Sequence, residues 1–261
     1  MRRVTTFSCA GEMLVGTLDE APGRTGLLIV SGGNEIRAGA HRGMAMLAAR
    51  IAAAGHPVFR FDRRGVGDST GENGGFRSSG PDIAAAAATF RQHGITRIVG
   101  FGNCDAASAL ALFGRAAGVD ALILTNPWVV ESADDLPPAA AIRARYAARL
   151  RDPAMWRRLF TGGVSLTKAA RGLTRVASPG SGNKADLMTA IAGWPDACIL
   201  LARGDATALA YAGAAKGRPM PPATLVDTAS HSFADAADAL AEAVLAGLIP
   251  SSTKNTDRGG S

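Results

Sequence analysis

The chain has little cysteine: Cys9, Cys104 and Cys198 are the only three in 261 residues. They are too few and too scattered for a disulfide framework, and no Cys/His group has metal-ligand spacing, so a reducing compartment and no metal are expected. Long apolar runs are also missing. No window approaches the roughly eighteen apolar residues of a membrane span. Behind the basic start Met1-Arg2-Arg3, residues 4–11 are interrupted by threonine, serine and cysteine, so no signal peptide is expected and the cytoplasm is the expected location. Phosphate-binding glycine loops are absent too. Gly100-Phe-Gly102 lacks the later glycine, and no Lys-Ser/Thr follows it, so no nucleotide or other cofactor is expected.

What is present is an ordinary globular composition. Hydrophobic residues make up 47% of a 26.6 kDa chain, enough to bury one full core. Residues 4–18 alternate weakly around Gly11 and Gly16, which predicts an N-terminal hairpin. Apolar runs at 26–30, 57–61, 97–101, 121–124, 197–201 and 224–226 read as strands. Helical spacing predicts helices over 41–54, 81–93, from the turn at Cys104 to about 117, over 184–192 and from His231 to about 248. Alternation of this kind implies an α/β fold with a doubly wound, mostly parallel sheet.

The rhythm breaks between 128 and 184, which reads as an inserted helical cap within a single domain of residues 1–250. Residues 251–261 have nothing to bury and read as a disordered tail. Much of the net charge of +6 sits in that cap: nine Arg or Lys residues lie between Arg143 and Arg175 against a single acid, Asp152. The bland reading is a solvated helical face. The sharper one is a weak attraction to an anionic surface or substrate. No nucleic-acid partner is expected.

The informative stretch is Gly102-Asn-Cys-Asp-Ala106, where a strand stops and an alanine-rich helix begins. A nucleophile held at a sharp strand-to-helix corner needs small residues two before and two after it, and Gly102 and Ala106 meet that need around Cys104. The helix start would aim its positive end at the sulfur. The plain alternative is a small core residue, since buried cysteines commonly pack as hydrophobes. Two further residues follow late strands: Asp205 after the run ending at Leu201, and His231 after the run ending near Val226. Nucleophile, acid and histidine in that chain order make a Cys104, Asp205, His231 triad the expected catalytic set, with His231 moving the proton and Asp205 orienting it. Asp227 is the runner-up acid, too close in sequence to His231.

Acyl transfer also needs donors for the developing oxyanion. The backbone amide of Asp105 is one candidate, and Gly33 or Asn34 in the loop after the first central strand is the other. The Asp105 carboxylate is expected to point away from the sulfur or to pair with an arginine. Arg37, His41 and Arg42 follow that loop and are candidate contacts for a substrate carboxylate or phosphate; a plain surface role at a helix start is the competing reading.

Asp62-Arg-Arg-Gly-Val-Gly-Asp-Ser69 resembles the Asp-x-Arg-Gly-x-Gly-x-Ser loop of α/β-hydrolases. Together with Ser31-Gly-Gly-Asn-Glu-Ile-Arg-Ala-Gly-Ala-His-Arg42 and Gly102-Asn-Cys-Asp-Ala-Ala-Ser108, it looks like the exosortase A system-associated hydrolase 1 group. The likeness spans most of residues 1–245. It implies the α/β-hydrolase fold, the same triad position by position, and a role beside exopolysaccharide and protein-sorting machinery. A cysteine at the elbow is also similar to dienelactone hydrolase, although Ala106 stands where that family has glycine. The expected activity is cysteine-dependent hydrolysis of an ester, thioester or lactone through a covalent acyl-enzyme, on a small-molecule or saccharide-linked acyl substrate. Acyl transfer to a saccharide hydroxyl, a non-catalytic scaffold and a thiol sensor are the alternatives.

Overall fold

The computed structural model describes residues 1–129 and 184–249. Eight strands form one sheet in the order β1-β2-β4-β3-β5-β6-β7-β8. They are β1 (Arg2–Cys9), β2 (Glu12–Asp19), β3 (Thr25–Val30), β4 (Val58–Phe61), β5 (Arg97–Asn103), β6 (Ala121–Thr125), β7 (Cys198–Ala202) and β8 (Ala223–Val226). The N-terminal hairpin is antiparallel, as is the join of β2 to β4; every pairing from β4 through β3 to β8 is parallel.

This register follows from the residues. Strands β3 and β4 are apolar almost throughout because they are covered on both faces, as parallel strands with helical crossovers must be. Strand β1 lies at the open edge and buries few of its residues, which explains its weak alternation. One face packs on α1 (Gly43–Ala53), whose Met44, Leu47, Ala48 and Ile51 make a stripe at helical spacing, and on α6 (Ala237–Leu248). The other face packs on α2 (Gly80–Arg91), α3 (Asp105–Phe113) and α4 (Lys184–Ala192). Helices on both faces make the sheet doubly wound, as the alternation predicts.

Three elements differ from the sequence reading, among them α6, which begins at Ala237 rather than at His231. Helix α3 stops at Phe113 rather than near 117. A helix that the reading omits, α5 (Ala206–Ala215), follows β7 directly. Its start is set by Asp205, whose carboxylate accepts from the Thr207 and Ala208 amides at 2.9 and 3.0 Å. The cap expected over 128–184, apart from its ends, and the tail at 251–261 lie outside the described residues. No described helix is long and apolar enough to cross a membrane.

Candidate active site

The carboxyl ends of parallel strands are where open α/β sheets bind ligands, and the candidate residues gather there from β3, β5, β7 and β8. Cys104 sits between the last residue of β5 and the first of α3 with φ 60° and ψ −125°, a strained backbone for a residue with a Cβ. The corner is so tight because Gly102 lies against the first turn of the helix: a Cβ there would meet the Ala106 carbonyl carbon at 2.7 Å and the Ala107 nitrogen at 2.8 Å. The Cys104 amide donates to the Thr125 carbonyl at 3.0 Å, and its own carbonyl accepts from Trp128 at 3.1 Å, so β6 and its exit hold the elbow from outside.

His231 and Asp205 reach this corner from neighbouring loops. Asp205 Oδ2 lies 3.0 Å from His231 Nδ1, while Oδ1 caps α5. One carboxylate thus fixes both the start of a helix and the orientation of the imidazole. Burial works against the Asp205 charge, but the hydrogen bonds from His231 and the α5 amides outweigh it, and its pKa falls below the usual carboxylate range. For His231 the bond to Asp205, followed by one with the Cys104 side chain, pushes the pKa up to about 10. Sulfur, imidazole and carboxylate therefore meet at one corner, with the imidazole hydrogen-bonded to the carboxylate and near enough to the sulfur to interact with it. The other two thiols stand apart: burial and a bond with Asp82 push Cys9 up to about 11, and burial raises Cys198.

A stability prediction follows from the sign of the His231 shift. A histidine whose folded pKa lies above its ordinary 6.5 contributes stability fully below about pH 6.5 and loses it as the pH rises through about 10. The melting-temperature advantage of the unmodified chain over a His231→Gln variant is expected to be largest near pH 6 and to shrink towards pH 10. Calorimetry across that range checks it; an advantage that grows with pH would contradict the shift.

Two residues outside the expected set hold the histidine loop. Asn103 and Asn126 each donate a side-chain amide hydrogen to the His231 carbonyl oxygen at 3.1 Å. Asn126 is fully buried and also accepts from the Ala202 amide at 2.9 Å, linking the exits of β6 and β7. Thr228 secures the loop from below, bonding to Asp235 and accepting from the Ser230 amide at 2.9 Å. An asparagine beside the elbow and another in a strand exit give no local signal of this clamp, because the shared acceptor is more than a hundred residues away. Asp227, the runner-up acid, is exposed and lies 3.4 Å from Arg203.

The loop after β3 departs from expectation. Gly33 has a left-handed backbone, and its amide donates to both oxygens of the Asp105 carboxylate at 3.0 Å. The Asp105 carboxylate faces this loop, and the buried Arg63 guanidinium is near enough to interact with it electrostatically. Asn34 is exposed and accepts from Asn73 at 2.7 Å. Arg37 spends its guanidinium within the fold, on Asp62, on Asp68 at 2.9 Å and on Thr17 at 3.2 Å. As a free substrate contact it is corrected to a strut: Asp62 is fully buried and its charge requires a partner. The resemblance loop 62–69 thus shapes the β3 loop through Arg37. His41 and Arg42 are exposed with φ of 52° and 62°, and neither is drawn into the line of Cys104, His231 and Asp205. Among the described residues no group of His, Cys, Asp and Glu could hold a metal ion.

The comparisons agree with this architecture. A family model described as "Alpha/beta hydrolase family" matches residues 27–243. Among solved structures, the alpha/beta hydrolase GrgF from Penicillium sp. sh18 is 16% identical, with 95% of this chain and 98% of that one covered and a TM-score of 0.64. An esterase of Pyrococcus furiosus is 13% identical over 95% and 90%, with a TM-score of 0.63. The thioesterase domain from the curacin biosynthetic pathway is 16% identical over 94% and 99%, with a TM-score of 0.58. At these identities the likeness establishes the fold. No curated protein matches the chain.

Proposed function

Because this chain belongs to the alpha/beta hydrolase family, we propose that it is a cysteine-dependent acyl hydrolase acting on an ester, thioester or lactone. The observation that carries the reading is the His231–Asp205 pair, 3.0 Å apart, beside Cys104 at the strained elbow. Cys104 attacks the carbonyl carbon as a thiolate paired with the His231 imidazolium, whose raised pKa keeps the proton on the ring, the C–O or C–S bond breaks, and His231 gives that proton to the leaving alcohol or thiol. Water, deprotonated by the same imidazole, then attacks the thioester and releases the acid. Asp205 holds the imidazole with Nδ1–H towards the carboxylate, leaving Nε2 for proton transfer. The amides of Asp105 and Gly33 are the donors proposed for the oxyanion. The resemblance in residues 31–42 and 62–69 supports a saccharide-linked acyl substrate in exopolysaccharide metabolism.

Intact-mass spectrometry after exposure to a panel of activated esters and thioesters tests this. The expected result is one acyl adduct, lost in Cys104→Ala and formed far more slowly in His231→Ala. Absence of any adduct, with Cys104 also inert to iodoacetamide at neutral pH, would sink the reading and favour a binding protein on a hydrolase scaffold.

A further inference from the structure

The Asp105 carboxylate accepts the Gly33 N–H that the proposed mechanism assigns to the substrate's oxygen. Both of its oxygens lie 3.0 Å from the Gly33 nitrogen. A Cβ placed on Gly32 would come within 2.2 Å of Oδ1, so the carboxylate fills the space against the loop. The loop itself is held in place. Arg63, only 3% exposed, donates to the Gly33 carbonyl oxygen and is anchored on Ser79 Oγ at 2.7 Å. Asn73 donates to the same carbonyl at 3.3 Å. The peptide that follows Gly33 is thereby held, and an oxyanion takes the Gly33 amide only by displacing the Asp105 side chain.

Resting on the acyl-hydrolase reading, we propose that Asp105 is a specificity-determining residue, a built-in anion whose carboxylate closes the oxyanion pocket until a substrate displaces it. Two costs then fall on any incoming carbonyl. It must take the Gly33 N–H from a charged acceptor, the stronger kind of hydrogen bond, and it must develop negative charge beside a carboxylate. A small activated ester has little binding energy to offset them. An acyl group carried on a larger moiety draws on contacts remote from the carbonyl. The pocket therefore selects carrier-linked acyl groups over simple esters, and it does so through a residue whose backbone amide serves the reaction that its side chain holds back.

The test compares the full chain with Asp105→Ala, which empties the pocket, and Asp105→Asn, which keeps the shape and removes the charge. Two reactions of Cys104 are timed by intact mass: acetylation by 4-nitrophenyl acetate, which needs the oxyanion pocket, and alkylation by iodoacetamide, which does not. Near-UV circular dichroism verifies folding, and if the alanine variant is not native the asparagine variant carries the comparison. Acetylation is expected to be about tenfold faster or more in both variants, with alkylation changed by less than about threefold. Acetylation unchanged or slower in folded variants would overturn the proposal, and so would both reactions rising by the same factor, since the effect would then lie on the sulfur. Absence of acetylation in every protein with alkylation intact would instead remove the acyl-hydrolase reading on which the proposal stands.

Discussion

Asp205→Asn is expected to fold normally and to lose about 10⁴-fold in kcat. The two oxygens of Asp205 do different work: Oδ1 accepts from the Thr207 and Ala208 amides, while Oδ2 faces His231 Nδ1 at 3.0 Å. Asparagine retains one oxygen and can keep it on the helix start, where it is as good a cap as aspartate. Its amide nitrogen then faces the imidazole as a donor. Two donors cannot share that contact, so the proton moves to Nε2 and the histidine no longer accepts the thiol proton. The raised pKa of His231 should fall at the same time, because its largest cause is the bond to Asp205. Alanine would lose the cap as well, about 1 kcal/mol, and would mix the two effects. Steady-state kinetics, with the pH dependence of Cys104 alkylation by iodoacetamide, checks this. A variant with kcat within tenfold of the original would exclude Asp205 as the orienting acid.

The second large effect falls on the fold. Gly102→Ala is expected to destabilise the chain by about 2–4 kcal/mol, a fall in melting temperature of roughly 5–15 °C for a domain of this size. A Cβ at this position meets backbone atoms of Ala106 and Ala107 at 2.7 to 2.8 Å. Those atoms belong to the first turn of α3 and cannot rotate away as a side chain would. Either β5 and α3 separate or Cys104 leaves its φ of 60°, and activity falls in both cases. Calorimetry alongside the acylation assay separates the two variants: here the melting temperature falls by a similar amount at every pH, whereas any fall in Asp205→Asn, which lowers the His231 pKa, shrinks towards pH 10. A melting temperature within 2 °C would mean that the elbow is looser than its geometry implies.

Local rules made much of this legible before any coordinates. The Gly102, Cys104, Ala106 spacing is a steric requirement within five residues, and the structure meets it with the left-handed elbow. The order of strands and helices was readable because apolar runs and helical stripes are periodic, and the doubly wound sheet follows from them. Asp205 and His231 stood out because each follows a late strand in the expected order. Their contact is a product of tertiary structure: the His231 carbonyl is held by Asn103 and Asn126, residues with no sequence signal, and Gly204 lies close against Ala229 to bring the two loops side by side.

The sequence by itself determined the kind of sheet, the elbow and the set of candidate groups, since each depends on short-range sterics or on periodicity. Tertiary structure decided where the charged side chains point. Arg37 could have met solvent or substrate, but the buried Asp62, 25 residues away, requires its charge. Asp105 could have faced solvent, but the Gly33 amide, 72 residues away, is the donor within its reach. A side chain's partner is chosen by which unsatisfied donor or acceptor the fold brings within about 3 Å, and no local pattern carries that distance.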